Sequence, residues 1–132
     1  MAKYLLGRND ETEGHILEAL RVSPRDRDAG GWFGIVGFAK LGAGRDEDAI
    51  RWFSQSIEAN PNLPMSHFLF AAASARLGRV EEAHDALRAG LELSPSFTIA
   101  RFRSQTFSEN PVYLAGRERM YEGLRKAGLP EE

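Results

Sequence analysis

Cysteine is absent from the sequence. That excludes disulfide frameworks, cysteine-based zinc sites and thiol nucleophiles, and it suits a reducing cytoplasm. Long apolar runs are absent too: no stretch approaches the ~20 residues of a membrane-spanning helix. Met1-Ala2-Lys3-Tyr4-Leu5-Leu6-Gly7 lacks the length and layout of a signal peptide. Nor does one charge dominate. A formal net charge of -2 leaves no global basic field to hold nucleic acid. The expectation is a soluble cytoplasmic chain of one domain, its 132 residues enough to bury a core without staples.

Against these absences stand six prolines and thirteen glycines, numerous enough that their positions should carry meaning. They do, through an internal repeat. Gly44 and Gly78 are 34 residues apart, as are Ala49 and Ala83, Phe53 and Leu87, Ile57 and Leu91, and Pro61 and Pro95. The glycine ends a first helix where a left-handed residue lets the chain turn sharply. The alanine belongs at a tight helix crossing, and the large apolar residues continue one stripe of a second helix. The proline stops that helix, because the residue before it is pushed out of the α region. The pattern predicts helices over 10–22, 29–42, 46–59, 64–77, 80–93, 97–105 and 111–127, and no strand.

A spacing of 34 is the period of the tetratricopeptide (TPR) repeat. Phe33, Val36 and Gly37 resemble the aromatic, leucine and glycine signature of its first helix, with His67, Phe70 and Ala71 as a looser second set. The resemblance implies an all-α, TPR-like α–α superhelix, a right-handed solenoid of antiparallel helix pairs. Its parts would be a partial repeat over 1–24, repeats over 30–63 and 64–97, and a divergent capping pair over 97–132. In the partial unit Gly7, Thr12, Ile16 and Ala19-Leu20 take the repeat positions, but too few residues precede Gly7 to form its first helix. The expectation is therefore a C-terminal piece of a longer protein. At the other end the period breaks after Pro95. Asn110 and Pro111 then supply an N-cap and a first helical position for a last helix, which Gly128 and Pro130 stop. That helix places Tyr113, Gly116, Met120, Leu124 and Ala127 on one side, and Arg117, Glu118, Glu122 and Arg125 on the other.

The segments Ser96–Arg103, Asn110–Leu114 and Tyr121–Glu131 are not general TPR sequence. With Ile57-Glu58-Ala59-Asn60-Pro61-Asn62, Pro64 and His67, they resemble a bacterial group frequent in α-proteobacteria such as rhizobia. In that group a class III adenylate/guanylate cyclase domain, or sometimes a winged-helix DNA-binding domain, precedes C-terminal TPR repeats. None of the cyclase's metal-binding aspartates has a counterpart here. The resemblance implies a non-catalytic regulatory module of a signalling protein.

No residue pattern argues for chemistry of the chain's own. His15 with Glu18 and His84 with Asp85 each lack the further ligands of a metal site, and His67 occupies a packing position. No elbow motif frames a serine, and Gly30-Gly31 and Gly42-Ala43-Gly44 have no following Gly-Lys-Ser/Thr. Asp46, Glu47, Asp48, Glu81 and Glu82 fall in first helical turns, where they complement the helix dipole and face water. No enzyme activity, cofactor or metal is expected. Arg101, Arg103, Arg117 and Arg125, interleaved with Glu109, Glu118 and Glu122, read as a mixed solvated surface. The resemblance points instead to a concave face lined by each unit's first helix: Gly34, Phe38 and Leu41, then Met65, Phe68, Ala72 and Arg76. The Lys and Asn with which some TPR proteins clamp a C-terminal carboxylate are missing there. A small, apolar groove suits an apolar segment of a protein, a peptide or another domain of the same chain; the alternative is that Phe38 and Phe68 only pack between helices. Nucleic acid and membrane are not expected as partners. A second reading is structural, with exposed solenoid ends joining copies into a homo-oligomer.

Overall fold

The structure, a computed structural model, describes residues 29–105 and 110–132. The expected helix at 10–22, the partial unit over 1–24 and His15 lie outside the described residues, as does Glu109. Those described are all-α: α1 Ala29–Gly42, α2 Asp46–Ala59, α3 Pro64–Arg76, α4 Val80–Leu93, α5 Ile99–Arg103 and α6 Pro111–Ala127. Among them there is no strand. Helices α1 and α2 form one antiparallel hairpin, α3 and α4 a second, and α2 packs on α3 to join them.

The two hairpins close in the same way. Gly44 at φ +81° and Gly78 at φ +80° hold the left-handed conformation that lets each first helix end. At each, paired amides satisfy the last carbonyls: Gly44 N–H donates to Leu41 O at 3.0 Å and Arg45 N–H to Lys40 O at 2.9 Å. Gly78 N–H donates to Ala75 O at 3.1 Å and Arg79 N–H to Ser74 O at 2.9 Å. Ala49 and Ala83, at the helix crossings, are wholly buried.

Side-chain bulk is exchanged between the hairpins at two contacts. In the first, the Phe53 ring of α2 lies on Gly37 of α1, so close that a Cβ there would stand 2.6 Å from it; the residues 34 further on are Leu87 and Ala71. In the second, the Phe68 ring of α3 lies on Gly90 of α4, where a Cβ would stand 2.7 Å away. The counterparts of that pair are Gly34 and Ser56. Ser56 Oγ–H donates to Gly30 O at 2.6 Å, which leaves Ser66 Oγ–H to donate to Ser56 at 2.6 Å. Each hairpin thus seats one ring on a glycine, but from opposite helices.

The C-terminal part departs from the expected pattern. Helix α5 is only five residues long, shorter than the 97–105 expected. Thr98 caps its start by accepting from Arg101 N–H, and the tail adds acceptors: Pro130 O for Ile99 N–H at 3.1 Å and Glu131 O for Ala100 N–H at 2.8 Å. Helix α6 begins as expected, Asn110 Oδ1 accepting from Val112 and Tyr113 N–H with Pro111 next, and it ends at Gly128, φ +106°. It lies along α3 and reaches α1, across the first helices of both hairpins. Small residues permit this approach. A Cβ at Gly116 would stand 2.8 Å from Gly42 O, and one at Gly123 2.5 Å from Ala72 O.

Candidate functional site

The seven residues expected to line a concave face divide into two groups. Leu41, Phe68 and Ala72 are wholly buried. Ala72 is covered by Gly123 of α6, and Phe68 is stacked on Phe97 with ring centroids 4.1 Å apart. Arg76 is held by two carboxylates: Nε donates to Asp46 Oδ2 at 3.1 Å and Nη1 to Glu122 Oε1 at 3.0 Å. It ties the first turn of α2 to α6, so Asp46 is an ion-pair partner rather than a solvated first-turn acid. Leu41, Phe68 and Ala72 present no surface to a partner, and the Arg76 side chain, 17% exposed, is engaged by both carboxylates; α6 covers Ala72 and Phe97 covers Phe68. The repeat pattern fixes which face the first helices share, but not that a later helix will lie on it.

Gly34, Phe38 and Met65 remain together. They line a half-open cavity of about 290 Å³, with Ile35, Leu63 and Leu69 completing an apolar wall and Ser66, Gln105 and Arg117 the polar points on it. The cavity has a sequence cause. Gly34 stands 34 residues before Phe68, and Leu63 stands 34 before Phe97. The stacked ring pair that fills the second hairpin is replaced in the first by a glycine and a leucine, and the missing ring volume is left open.

Arg117 is the residue that sequence reasoning misplaces. Read as part of a solvated basic stripe, it is 1% exposed. Its guanidinium carbon lies 3.7 Å from the centroid of the Phe102 ring, with Tyr121 and Tyr113 farther out at 5.5 and 5.9 Å. Nε donates to Tyr121 Oη at 3.1 Å and Nη2 to the Phe102 carbonyl. Among the described residues no carboxylate pairs with it, and Nη1 finds no acceptor. Tyr113 and Tyr121 stand four residues before and after Arg117, on the same face of α6. That aromatic bracket is the legible signal that this arginine turns inward.

The other candidates have structural places. His67 Nε2–H donates to Pro61 O at 2.8 Å, tying α3 to the proline turn before it. His84 is exposed on α4. Among the described residues no group of three or more His, Cys, Asp or Glu side chains could hold a metal ion. None of the described helices is long and apolar enough to cross a membrane. No family model matches the chain, and neither does any curated protein.

Proposed function

We propose that this chain is a TPR-type interaction module, a short superhelix of antiparallel helix pairs that binds an apolar protein segment through Ile35, Phe38 and Met65. The observation that carries the reading is the recurrence of backbone detail with the 34-residue period: the two left-handed glycines, the amide pairs behind them, and the second-helix ends. At those ends Asn60 N–H donates to Ser56 O and Ser94 N–H to Gly90 O, each at 2.9 Å. Such hairpins bury their core by stacking on neighbours and bind through what the stack leaves open. Among the described residues no group of His, Cys, Asp or Glu side chains that could hold a metal competes with this reading.

The test is affinity capture with the intact chain, followed by crosslinking of what is retained. A partner that crosslinks to α1 and α3, and is lost with Ile35→Glu or Met65→Glu but kept with Arg88→Glu, exposed on α4, supports it. Equal retention by all three variants moves the binding surface elsewhere. The resemblance of the C-terminal segments to cyclase-linked repeats supports a place as the regulatory or scaffold part of a bacterial signalling protein such as an adenylate/guanylate cyclase. The sequence encoded upstream of Met1 tests this directly: a catalytic or DNA-binding domain there favours it, and an unrelated gene overturns it. Association between copies is the second reading, favoured by Val80 and Leu93, which are 51% and 41% exposed on α4. Sedimentation at two concentrations separates the readings, since a monomer at both removes the second.

A further inference from the structure

We propose that the cavity above Arg117 binds a small apolar monocarboxylate, a free acid with an aliphatic tail. Arg117 supplies the first reason. A cation taken out of water needs an anion or a full set of acceptors, and among the described residues Arg117 is offered no carboxylate: two of its donors are engaged by neutral oxygens, and Nη1 has no acceptor there. The aromatic face of Phe102 offsets part of that deficit. Arg117 is one of the residues that line the cavity, so an anion seated there would lie beside its side chain.

The opposite wall gives the second reason. Ile35, Phe38, Leu63, Met65 and Leu69 offer only hydrocarbon and thioether surface, which suits an aliphatic chain and nothing charged. At about 290 Å³ the cavity stands at the small end of ligand pockets, which run from ~300 to ~1,000 Å³. With each methylene taken as about the size of a water molecule, ~30 Å³, it holds roughly ten heavy atoms, the size of octanoate. One guanidinium and no lysine on the wall match a single negative charge; a phosphate dianion would carry a charge with no partner. The wall also lacks the run of backbone donors and acceptors that an extended peptide needs, so a free acid fits better than a chain terminus. The two readings share the wall of Ile35, Phe38 and Met65, but only this one needs Arg117, so the Arg117→Met variant can fail it while partner capture is unchanged.

The experiment compares sodium octanoate, 1-octanol and the peptide acetyl-Leu-Leu by titration calorimetry and methyl NMR on the full chain. Octanoate is expected to bind at least about tenfold more tightly than octanol, the worth of one charge-assisted hydrogen bond, and to shift the methyl signals of Ile35, Leu63 and Leu69. Arg117→Met should bring octanoate down to the affinity of octanol. Gly34→Phe, which places in the first hairpin the ring that Phe68 supplies in the second, should abolish both while leaving the helical dichroism unchanged. Equal affinity for octanoate and octanol, retention by Arg117→Met, or shifts confined to other methyls would overturn the proposal. So would tighter binding of the peptide. If Arg117→Met does not fold, the acid-to-alcohol ratio in the parent chain and the Gly34→Phe result still decide.

Discussion

Replacing Gly123 by alanine sets two effects of opposite sign against each other. In an exposed helix interior, Gly→Ala stabilises by up to ~1 kcal/mol, because alanine loses less backbone entropy. At Gly123 the new Cβ would stand 2.5 Å from the Ala72 carbonyl oxygen and 2.9 Å from the Cα and carbonyl carbon of the same residue. Carbon and oxygen in ordinary contact lie ~3.3–3.6 Å apart, so α6 must retreat by roughly 0.8 Å. The obstacle is helix backbone and cannot rotate aside. A gap of that width forfeits about a quarter to a half of the dispersion energy across a contact. The interface includes Met120, Leu124 and Ala127, all but fully buried. Overpacking of this kind typically costs ~1–3 kcal/mol, and with the propensity gain of up to ~1 kcal/mol subtracted the net loss is about 1 kcal/mol. For a domain of this size that lowers Tm by roughly 4 °C. Urea and thermal unfolding followed by circular dichroism measure it, with Gly31→Ala as the control. Gly31 is exposed on α1, and a Cβ there meets no atom within 4 Å, so that variant should gain ~0.5–1 kcal/mol. Equal stabilisation by both substitutions would refute the close docking of α6 on α3.

Three further outcomes follow from single residues. Gly78→Ala should cost ~1–2 kcal/mol from the left-handed conformation alone, since no atom lies within 4 Å of the added Cβ; an unchanged urea midpoint would contradict the turn geometry. Ser74 Oγ is buried without a hydrogen-bond partner, so Ser74→Ala should raise stability by about 1 kcal/mol, and a loss on unfolding would show that the hydroxyl is bonded. The Glu131 carboxyl is held below its ordinary value of 4.5, chiefly by its hydrogen bond from Arg125. A carboxylate with a depressed folded-state pKa contributes stability that is present above its ordinary value and lost as pH falls through the folded one. Glu131→Gln should therefore be slightly less stable than the parent at neutral pH, with the difference vanishing as acidification goes below 4.5. The pair is exposed, so the effect is small, and a gap that widens in acid would reverse the sign.

Local features are legible in the sequence, and destinations are not. Gly44, Gly78, Asn110 and Gly128 act through neighbouring peptide groups, so turn and cap chemistry alone places them. Ala49 and Ala83 are legible because an antiparallel hairpin fixes where its own helices cross. The apolar side of α6 is legible as a stripe, yet periodicity says what a helix buries and not against what. Its receiving surface is made of Gly42 and Ala72, and residues as small as these also stand at turns and crossings on which nothing docks. Arg117 is misplaced because a charged side chain is the commonest mark of an outer face; only the aromatic pair around it argues otherwise. Shortening of the 97–105 helix is not visible, since the tail carbonyls of Pro130 and Glu131 that cap its first turn belong to the far end of the chain.

The placement of α6 also orders events during synthesis. Each hairpin is a local assembly that can form as it leaves the ribosome, whereas Arg119 reaches back across 77 residues to the carbonyl of Gly42. Closing that loop must wait for the last residues to emerge. Until then Gly42, Ala72 and the neighbouring first-helix surface stand bare to water or to a chaperone, and a transcript cut short before Pro111 would yield a protein that keeps them so.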